Sequence, residues 1–406
     1  MIGMIKETEI CIVGGGPSGL FLGLLLAKNG IRVTVLESQT SFNRKFRGEV
    51  LQPRFVRLMK ELNLEQCLEK YEHIKLFNSE IWNNKKYITQ IDYEKEMPEA
   101  PYAIKIKQSV LLTFLYDLAK DYTNFELIFN AKVTSTIKST NRTVGVNALV
   151  DGQMTEIHAS LVVGADGRMS TVRKTSDFSF KYKKEDFDLI WCKISTNEFK
   201  LNQKLLFRLS DFSNFIGLPY SSDCVQIGFT MKKDQWNTIK RKGIEPLKLE
   251  FIKAFPELEE DIEKISDFKS FVSIQSETFM VDNWHDKGCI LIGDAAHCSS
   301  PLGAIGLSLA FETALVTAEL IVTSKLEPNH EYKRLDRLQS IRNREIRLVH
   351  FAQQLIISMI VKSPKGIKNF SLACMKLMGN SRIARYLMRR FFLGSPKITV
   401  DNAFKF

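Results

Sequence analysis

Long apolar runs are missing from this sequence. No uninterrupted stretch approaches the roughly 20 residues a membrane-spanning helix needs, so a bilayer-embedded fold is not expected. Cysteine pairs at metal or redox spacing are missing too. The seven cysteines (Cys11, Cys67, Cys192, Cys224, Cys289, Cys298, Cys374) are scattered, none in C-x-x-C spacing, and their number is odd. That pattern argues against a disulfide frame or a zinc site; it predicts reduced, mostly buried thiols in a cytosolic protein and no bound metal. Internal repeats and low-complexity tracts are absent. Acidic residues are scarce at one end only. Residues 331–406 carry 16 Lys and Arg against 4 Asp and Glu, while the rest carries 41 against 42, so this tail holds the whole excess of +11. One reading is a solvated helical face; the sharper one is a docking surface for something anionic.

What is present is an ordinary globular composition, 44% apolar over 406 residues, enough for two or three packed domains. The apolar stretch Ile10–Ala27 is interrupted by Gly14, Gly15, Gly16, Pro17 and Gly19, so it reads as strand, turn and helix rather than as the core of a signal peptide. Glu9–Val13 is an expected strand, Ser18–Asn29 a helix and Arg32–Leu36 a second strand. Helices are expected near Gln52–Leu62, over Ser109–Lys120 and from Gly306 to Leu320, and strands at Leu161–Gly164 and Cys289–Ile292. Residues 75–105 and 181–281 show short alternating stretches (Leu205–Leu209, Asn214–Leu218, Cys224–Thr230) that predict an antiparallel sheet. From Tyr332 the pattern is helical, broken at Ser363-Pro364, Gly379-Asn380 and Ser395-Pro396.

Gly14-Gly15-Gly16-Pro17-Ser18-Gly19 is a G-x-G-x-x-G between strand and helix. Its first glycine permits the tight turn, its second lets the backbone approach a pyrophosphate, and its third packs helix on strand. The helix start presents N–H groups and a positive dipole end to phosphate. Glu37 ends the second strand, 18 residues beyond Gly19. Its carboxylate can accept hydrogen bonds from adenosine ribose hydroxyls and would repel a 2′-phosphate. The turn alone does not separate NAD from FAD.

Two further segments separate them. Val163-Gly164-Ala165-Asp166-Gly167-Arg168 follows one strand, and Gly293-Asp294-Ala295-Ala296-His297, with Pro301 beyond it, follows another. With these three motifs in this order the chain resembles the flavoprotein aromatic hydroxylases, the p-hydroxybenzoate hydroxylase-like family, over residues 8–325. The resemblance implies an α/β fold: a Rossmann-like FAD-binding domain of the glutathione-reductase type (1–74, 106–180 and 282–330), an inserted, mainly antiparallel substrate domain (75–105 and 181–281) and a basic C-terminal helical region (331–406). It implies a tightly bound, non-covalent FAD, with Gly14, Gly16, Pro17, Ser18, Gly19 and Glu37 at the adenosine and pyrophosphate. Asp294 and Gly293 would serve the ribitol, Pro301 the isoalloxazine, and Gly306, Leu307 and Ser308 its pyrimidine end. Arg47 matches a flavin-contacting arginine, Gln108 a glutamine near the ribityl phosphate, and Asp166 a residue that supports the cofactor or merely caps a turn. Ser308 stands where the family has Asn, and Thr313-Ala314 where it has Asp-Ala.

The resemblance also implies a reaction. NAD(P)H is a transient reductant, O2 reacts with reduced flavin to a C4a-hydroperoxide, and oxygen enters an aromatic or similarly electron-rich, lipophilic substrate. Phe207, Phe212, Phe215, Tyr220 and Phe229 are pocket-lining candidates that fit a plain core as well. No catalytic base is evident; Tyr220 is the first candidate to test, and His297 reads as structural. Other readings remain. A flavin halogenase would carry W-x-W-x-I-P, which none of Trp82, Trp191, Trp236 and Trp284 belongs to. An isoprenoid reductase of the geranylgeranyl-reductase type would spare O2. A non-catalytic flavin-binding protein would turn over nothing. No nucleic-acid partner is expected. In the tail, Arg382, Arg385 and Arg389 share one side of a helix and Ile383, Leu387 and Phe391 another. That implies a cytoplasmic protein with peripheral membrane contact, or docking of an acidic carrier protein.

Overall fold

The computed structural model describes residues 4–43, 48–196, 198–325, 332–361, 366, 369, 371–373, 381–395 and 398–406. The β-branched strand Met4–Val13 lies inside an eight-stranded sheet. It pairs in parallel with Val33–Leu36 on one side and Gln153–Gly164 on the other, in registers Ile10↔Val33 and Ile10↔Leu161. Parallel strands Phe125–Ile128 and Cys289–Leu291 extend the sheet outward. The antiparallel ribbon Ala131–Ser139 and Arg142–Val150 continues from Gln153–Gly164. Helix Pro17–Lys28 starts with a proline, whose missing N–H has no intrahelical partner to lose at that position; residues Ser18–Ala27 are all buried. It is apolar all round because it lies between the sheet and helices Gln108–Ala119 and Gly306–Lys325.

The second eight-stranded sheet runs in the order His297–Cys298, Val272–Val281, Phe180–Ser195, Cys224–Lys232, Asn214–Ser221, Lys204–Leu209, Asn78–Asn83, Lys86–Asp92. All its pairs are antiparallel except Lys204–Leu209 with Asn78–Asn83. One face carries Ile190, Cys192, Phe215, Ile227 and Phe229, covered by helices Lys233–Lys242 and Glu245–Ala254. The sequence reading of 181–281 as sheet alone missed these helices. Only Trp236 and Ile239, three apart, mark the apolar side of Lys233–Lys242, and only Leu247 and Phe251, four apart and buried, mark Glu245–Ala254. A three-stranded sheet, Gly48–Leu51, Ala103–Lys107 and His73–Leu76, completes the β structure.

Helix Leu302–Lys325 is long and apolar enough to cross a membrane, but 78% of its apolar window is buried inside the protein, so it serves as a core helix. Beyond it, Arg337–Ile356 and Arg382–Leu393 are helices. The expected breaks at Ser363-Pro364 and Gly379-Asn380 lie outside the described residues. The last helix ends at Leu393, just before Gly394 with φ +77°. Of the thiols, Cys11, Cys192, Cys289 and Cys298 are buried and Cys67 and Cys224 half-buried, all unpaired. Burial pushes the Cys11 and Cys289 thiols up to about 12, so they are inert at neutral pH.

Helix Arg382–Leu393 keeps Arg385 and Arg389 on a different side from Ile383 and Leu387, but the arginine side is turned to the protein and Phe391 packs inward. Arg385 Nε pairs with Glu96 Oε2 at 3.0 Å, and Arg389 pairs with Glu99 and the Glu96 carbonyl. Phe391 packs on Gly303, and Phe392 stacks edge-on against Tyr93 at 6.1 Å. Two of the arginines therefore bind the protein, while Ile383, Tyr386 and Leu387 are 68%, 64% and 55% exposed.

Candidate functional site

Three turns meet at the carboxyl ends of the central parallel strands, where open α/β sheets bind ligands. The first is the Gly14–Gly19 turn. Gly14 has φ +109°, and a Cβ there would sit 2.5 Å from the Ala165 carbonyl oxygen. A Cβ on Gly19 would sit 2.0 Å from the Gly14 oxygen. Around the position of a Cβ on Gly16, by contrast, no atom lies within 4 Å. Two glycines are thus required by packing within the protein, and the one assigned to a pyrophosphate faces open space. Gly16 caps helix Pro17–Lys28 without any side-chain hydrogen bond, leaving its first-turn amides available to an anion. Glu37 is buried. It takes the Gly15 N–H at 3.0 Å on Oε2 and the Gln39 N–H at 2.9 Å on Oε1. Two backbone donors and the Ser38 hydroxyl, at 3.3 Å from Oε1, fix the carboxylate.

The second turn is Ala165-Asp166-Gly167. Asp166 accepts Ser170 Oγ at 2.5 Å and the amides of Thr171 and Val172 at 2.6 and 3.1 Å. Its carboxylate caps the short helix Thr171–Thr175, which favours the turn-capping role. Burial pushes its pKa up against the pull of those hydrogen bonds. Arg173, which follows this turn and had no role assigned from sequence, donates to the Ala295 carbonyl at 2.8 Å and the Arg168 carbonyl at 2.5 Å. It also lies 4.4 Å and 4.7 Å from the ring centres of Phe180 and Phe279. This buried guanidinium ties the second turn to the third.

The third turn is Gly293-Asp294-Ala295, where Gly293 has φ +56° and a Cβ would meet Ser18 Oγ at 2.6 Å. The turn therefore packs directly on the start of the glycine-rich helix, with Asp294 half-buried beside it. Downstream, Pro301 leads into Gly303 (φ +78°) and Ala304 (φ +51°). Gln52 Nε2 donates to the Gly303 carbonyl at 2.8 Å, and Gln353 Nε2 to those of Ser300 and Leu302 at 2.9 and 2.7 Å. Helix Gly306–Lys325 follows with Leu307 half-buried and Ser308 buried, its hydroxyl without a hydrogen-bond partner among the described residues. Gln108 is buried at the first residue of helix Gln108–Ala119. Arg47 lies outside the described residues.

Behind this loop stands a buried charge cluster that sequence reading missed. Glu312 accepts Arg54 Nε at 2.9 Å and an Arg342 Nη at 2.6 Å, and Arg54 also pairs with Glu345. It links helix Pro53–Glu61, the core helix Gly306–Lys325 and helix Arg337–Ile356. Nothing in the spacing of these residues announces it, because the partners lie up to 291 positions apart. His297 Nε2 contacts Thr313 Oγ1 at 2.9 Å, and the ring lies 5.0 Å from that of Trp284. Burial, with Arg342 nearby, holds its pKa well below 6.5. A neutral, enclosed imidazole fits the structural reading.

The face of the antiparallel sheet opposite its helices turns to this lobe. Trp191, Gly228 and Ile216 form one cross-strand row. A Cβ on Gly228 would meet the Trp191 ring at 2.6–2.8 Å, so the glycine lets the indole lie flat on the sheet. Phe207 pairs with Ile216 on the same face. Phe215 and Phe229 do not line it: they are fully buried on the other face, against Phe251 at 5.3 and 5.1 Å. Phe212 is exposed. Tyr220 is ringed by ammonium groups, Lys193 at 3.8 Å from its ring centre and Lys105 and Lys107 at 5.7 and 5.8 Å.

Comparison with known proteins shows the family and the fold. A family model described as an FAD binding domain matches residues 7–337. 6-Methylpretetramide 4-monooxygenase of Streptomyces rimosus is 27% identical over 98% of this chain and 94% of its own. Para-nitrophenol 4-monooxygenase of Pseudomonas sp. strain WBC-3 is 23% identical over 77% of each. The crystal structure of p-nitrophenol 4-monooxygenase from Pseudomonas putida DLL-E4 superposes with a TM-score of 0.79, at 18% identity, over 97% of this chain and all of that one.

Proposed function

This chain belongs to the FAD binding domain family, as an FAD-dependent monooxygenase like the aromatic hydroxylases, and from that premise we propose that it uses NAD(P)H and O2 to hydroxylate an electron-rich, lipophilic small molecule. The observation that carries the cofactor part of the reading is the contrast among the three glycines, two filled by protein and Gly16 open at a helix start; the reaction rests on likeness to the monooxygenases above. Gly16, Pro17, Ser18 and Gly19 would hold the pyrophosphate, Glu37 the ribose, and Asp294 and Gln108 the ribitol and its phosphate. Pro301 and the amides of Gly306, Leu307 and Ser308 would meet the flavin ring. Bound FAD supplies hydride acceptance from NAD(P)H and the activation of O2.

The protein's own residues supply position and exclusion of water. The two glutamines hold the Ser300–Ala304 loop through its carbonyls, and the helix start at Gly306 turns its amides toward a developing negative charge. Trp191, Ile216 and Phe207 make an apolar wall, which keeps water from the reacting centre. Tyr220, with the Lys193 ammonium 3.8 Å from its ring centre, is the candidate acceptor of a hydrogen bond from a substrate hydroxyl. The basic residues 331–406 are a docking surface for an anionic partner that brings the substrate within reach.

Turnover of candidate phenols and quinols under ¹⁸O2 tests the proposal. One labelled oxygen atom should enter the product, and Tyr220→Phe should lower the rate while leaving bound FAD unchanged. Label arriving from water, or equal turnover without O2, would refute it.

A further inference from the structure

Helix Arg382–Leu393 packs Phe391, Phe392 and Leu393 on the protein and leaves Ile383, Tyr386 and Leu387 outward. Arg385 and Arg389 face Glu96 and Glu99 on the protein, and Ile383, Tyr386 and Leu387, spaced i, i+3 and i+4, face solvent. In a helix that only covers a core, the apolar stripe faces inward. Helix Arg337–Ile356 repeats the feature: Leu348, Phe351 and Leu355 form an exposed stripe, with Phe351 67% exposed. Half of the exposed large hydrophobic side chains among the described residues, seven of fourteen, fall on these two helices. Clustered exposed apolar side chains mark an interaction surface.

Charge selects the occupant. Exposed Arg344 and Arg347 interleave with Leu348 and Phe351 on one face. Across both helices the single acid is Glu345, buried in its pair with Arg54. A second copy would bring two basic, acid-free faces together, which like-charge repulsion opposes. An anionic lipid surface complements both the arginines and the apolar stripes.

Position gives the docking a consequence. Gln353 holds the Ser300 and Leu302 carbonyls, and Phe391 packs on Gly303. Both helices therefore brace the same loop beside the flavin site. The exposed stripe of Arg337–Ile356 lies on the side away from Gln353, one helix diameter of about 10 Å across. We propose that helices Arg337–Ile356 and Arg382–Leu393 seat the enzyme on an anionic bilayer, holding the site beside the membrane from which it draws an apolar substrate; this rests on the monooxygenase reading above.

Co-sedimentation of the FAD-loaded protein with vesicles tests it. Phosphatidylcholine vesicles containing phosphatidylglycerol should bind the protein, and phosphatidylcholine alone should not. Binding should weaken as salt rises. Arg344→Gln with Arg347→Gln should cut partitioning about 25-fold, at roughly fivefold per charge near an anionic surface. Ile383→Ser, Tyr386→Ser and Leu387→Ser combined should cut it at least tenfold, on a surface where folding does not depend on them. No binding to either vesicle would overturn the proposal, as would binding indifferent to both sets of substitutions. So would a dimer in solution that the serine variant splits, since a second copy would then own the face. FAD content and NAD(P)H oxidation without lipid, read on the same samples, report on the flavoenzyme independently. Loss of docking with those intact condemns only the membrane.

Discussion

Replacing Glu312 with Gln perturbs the charge cluster at its centre. In the native protein Glu312 accepts from both Arg54 and Arg342, and Thr313, Arg54 and Arg342 are all buried around it. The amide keeps the shape but removes the negative charge, leaving two buried guanidinium groups to share Glu345. Breaking a buried ion pair from one side costs about 3–5 kcal/mol. At about 2.1 cal/mol/K per residue of unfolding entropy, that is a fall in Tm of roughly 4–6 °C for this chain. The effect has a pH signature. Burial raises the Glu312 pKa, but Arg54 and Arg342 outweigh it and hold the carboxyl below 4.5. A depressed folded-state pKa contributes stability above the unfolded value, and that contribution is lost as pH falls through the folded one. The gap between wild type and variant should be constant above about pH 6 and close in acid. Calorimetric melting of both proteins from about pH 8 to about pH 3 spans that window. A variant that melts within about a degree of wild type at neutral pH, or a gap that widens in acid, would refute the reasoning.

Two further substitutions address the site. Asp294→Ala should weaken FAD by about 1–3 kcal/mol, the cost of a lost hydrogen bond to a buried group, seen by titrating cofactor into apoprotein; unchanged affinity would move the ribitol elsewhere. Gly228→Ala should drive a methyl into the Trp191 ring, costing about 1–3 kcal/mol by overpacking. Product formed per NAD(P)H consumed should fall as the apolar wall shifts, and unchanged coupling in a destabilised protein would show that this wall does not shield the reaction.

The cofactor-binding lobe was legible in the sequence because its determinants are local. A turn with φ +109° at Gly14, an approach of 2.0 Å at Gly19 and an acid ending the second strand each leave a residue type at a fixed spacing. Strands such as Asn214–Ser221 showed through their alternation, since one face is buried. Tertiary structure decided the rest. It turned Phe215 and Phe229 into the core and put Trp191 and Ile216 on the facing wall, because the side of a sheet that helices cover is not written in the alternation itself. It joined Arg54, Glu312, Arg342 and Glu345, whose charges read as surface until three helices from distant parts of the chain enclosed them. The helix Arg382–Leu393 is the sharpest case. Its amphipathic period was evident from sequence, but only docking of Phe391, Phe392 and Leu393 on the core brought Arg385 and Arg389 to Glu96 and Glu99 and left Ile383 and Leu387 exposed.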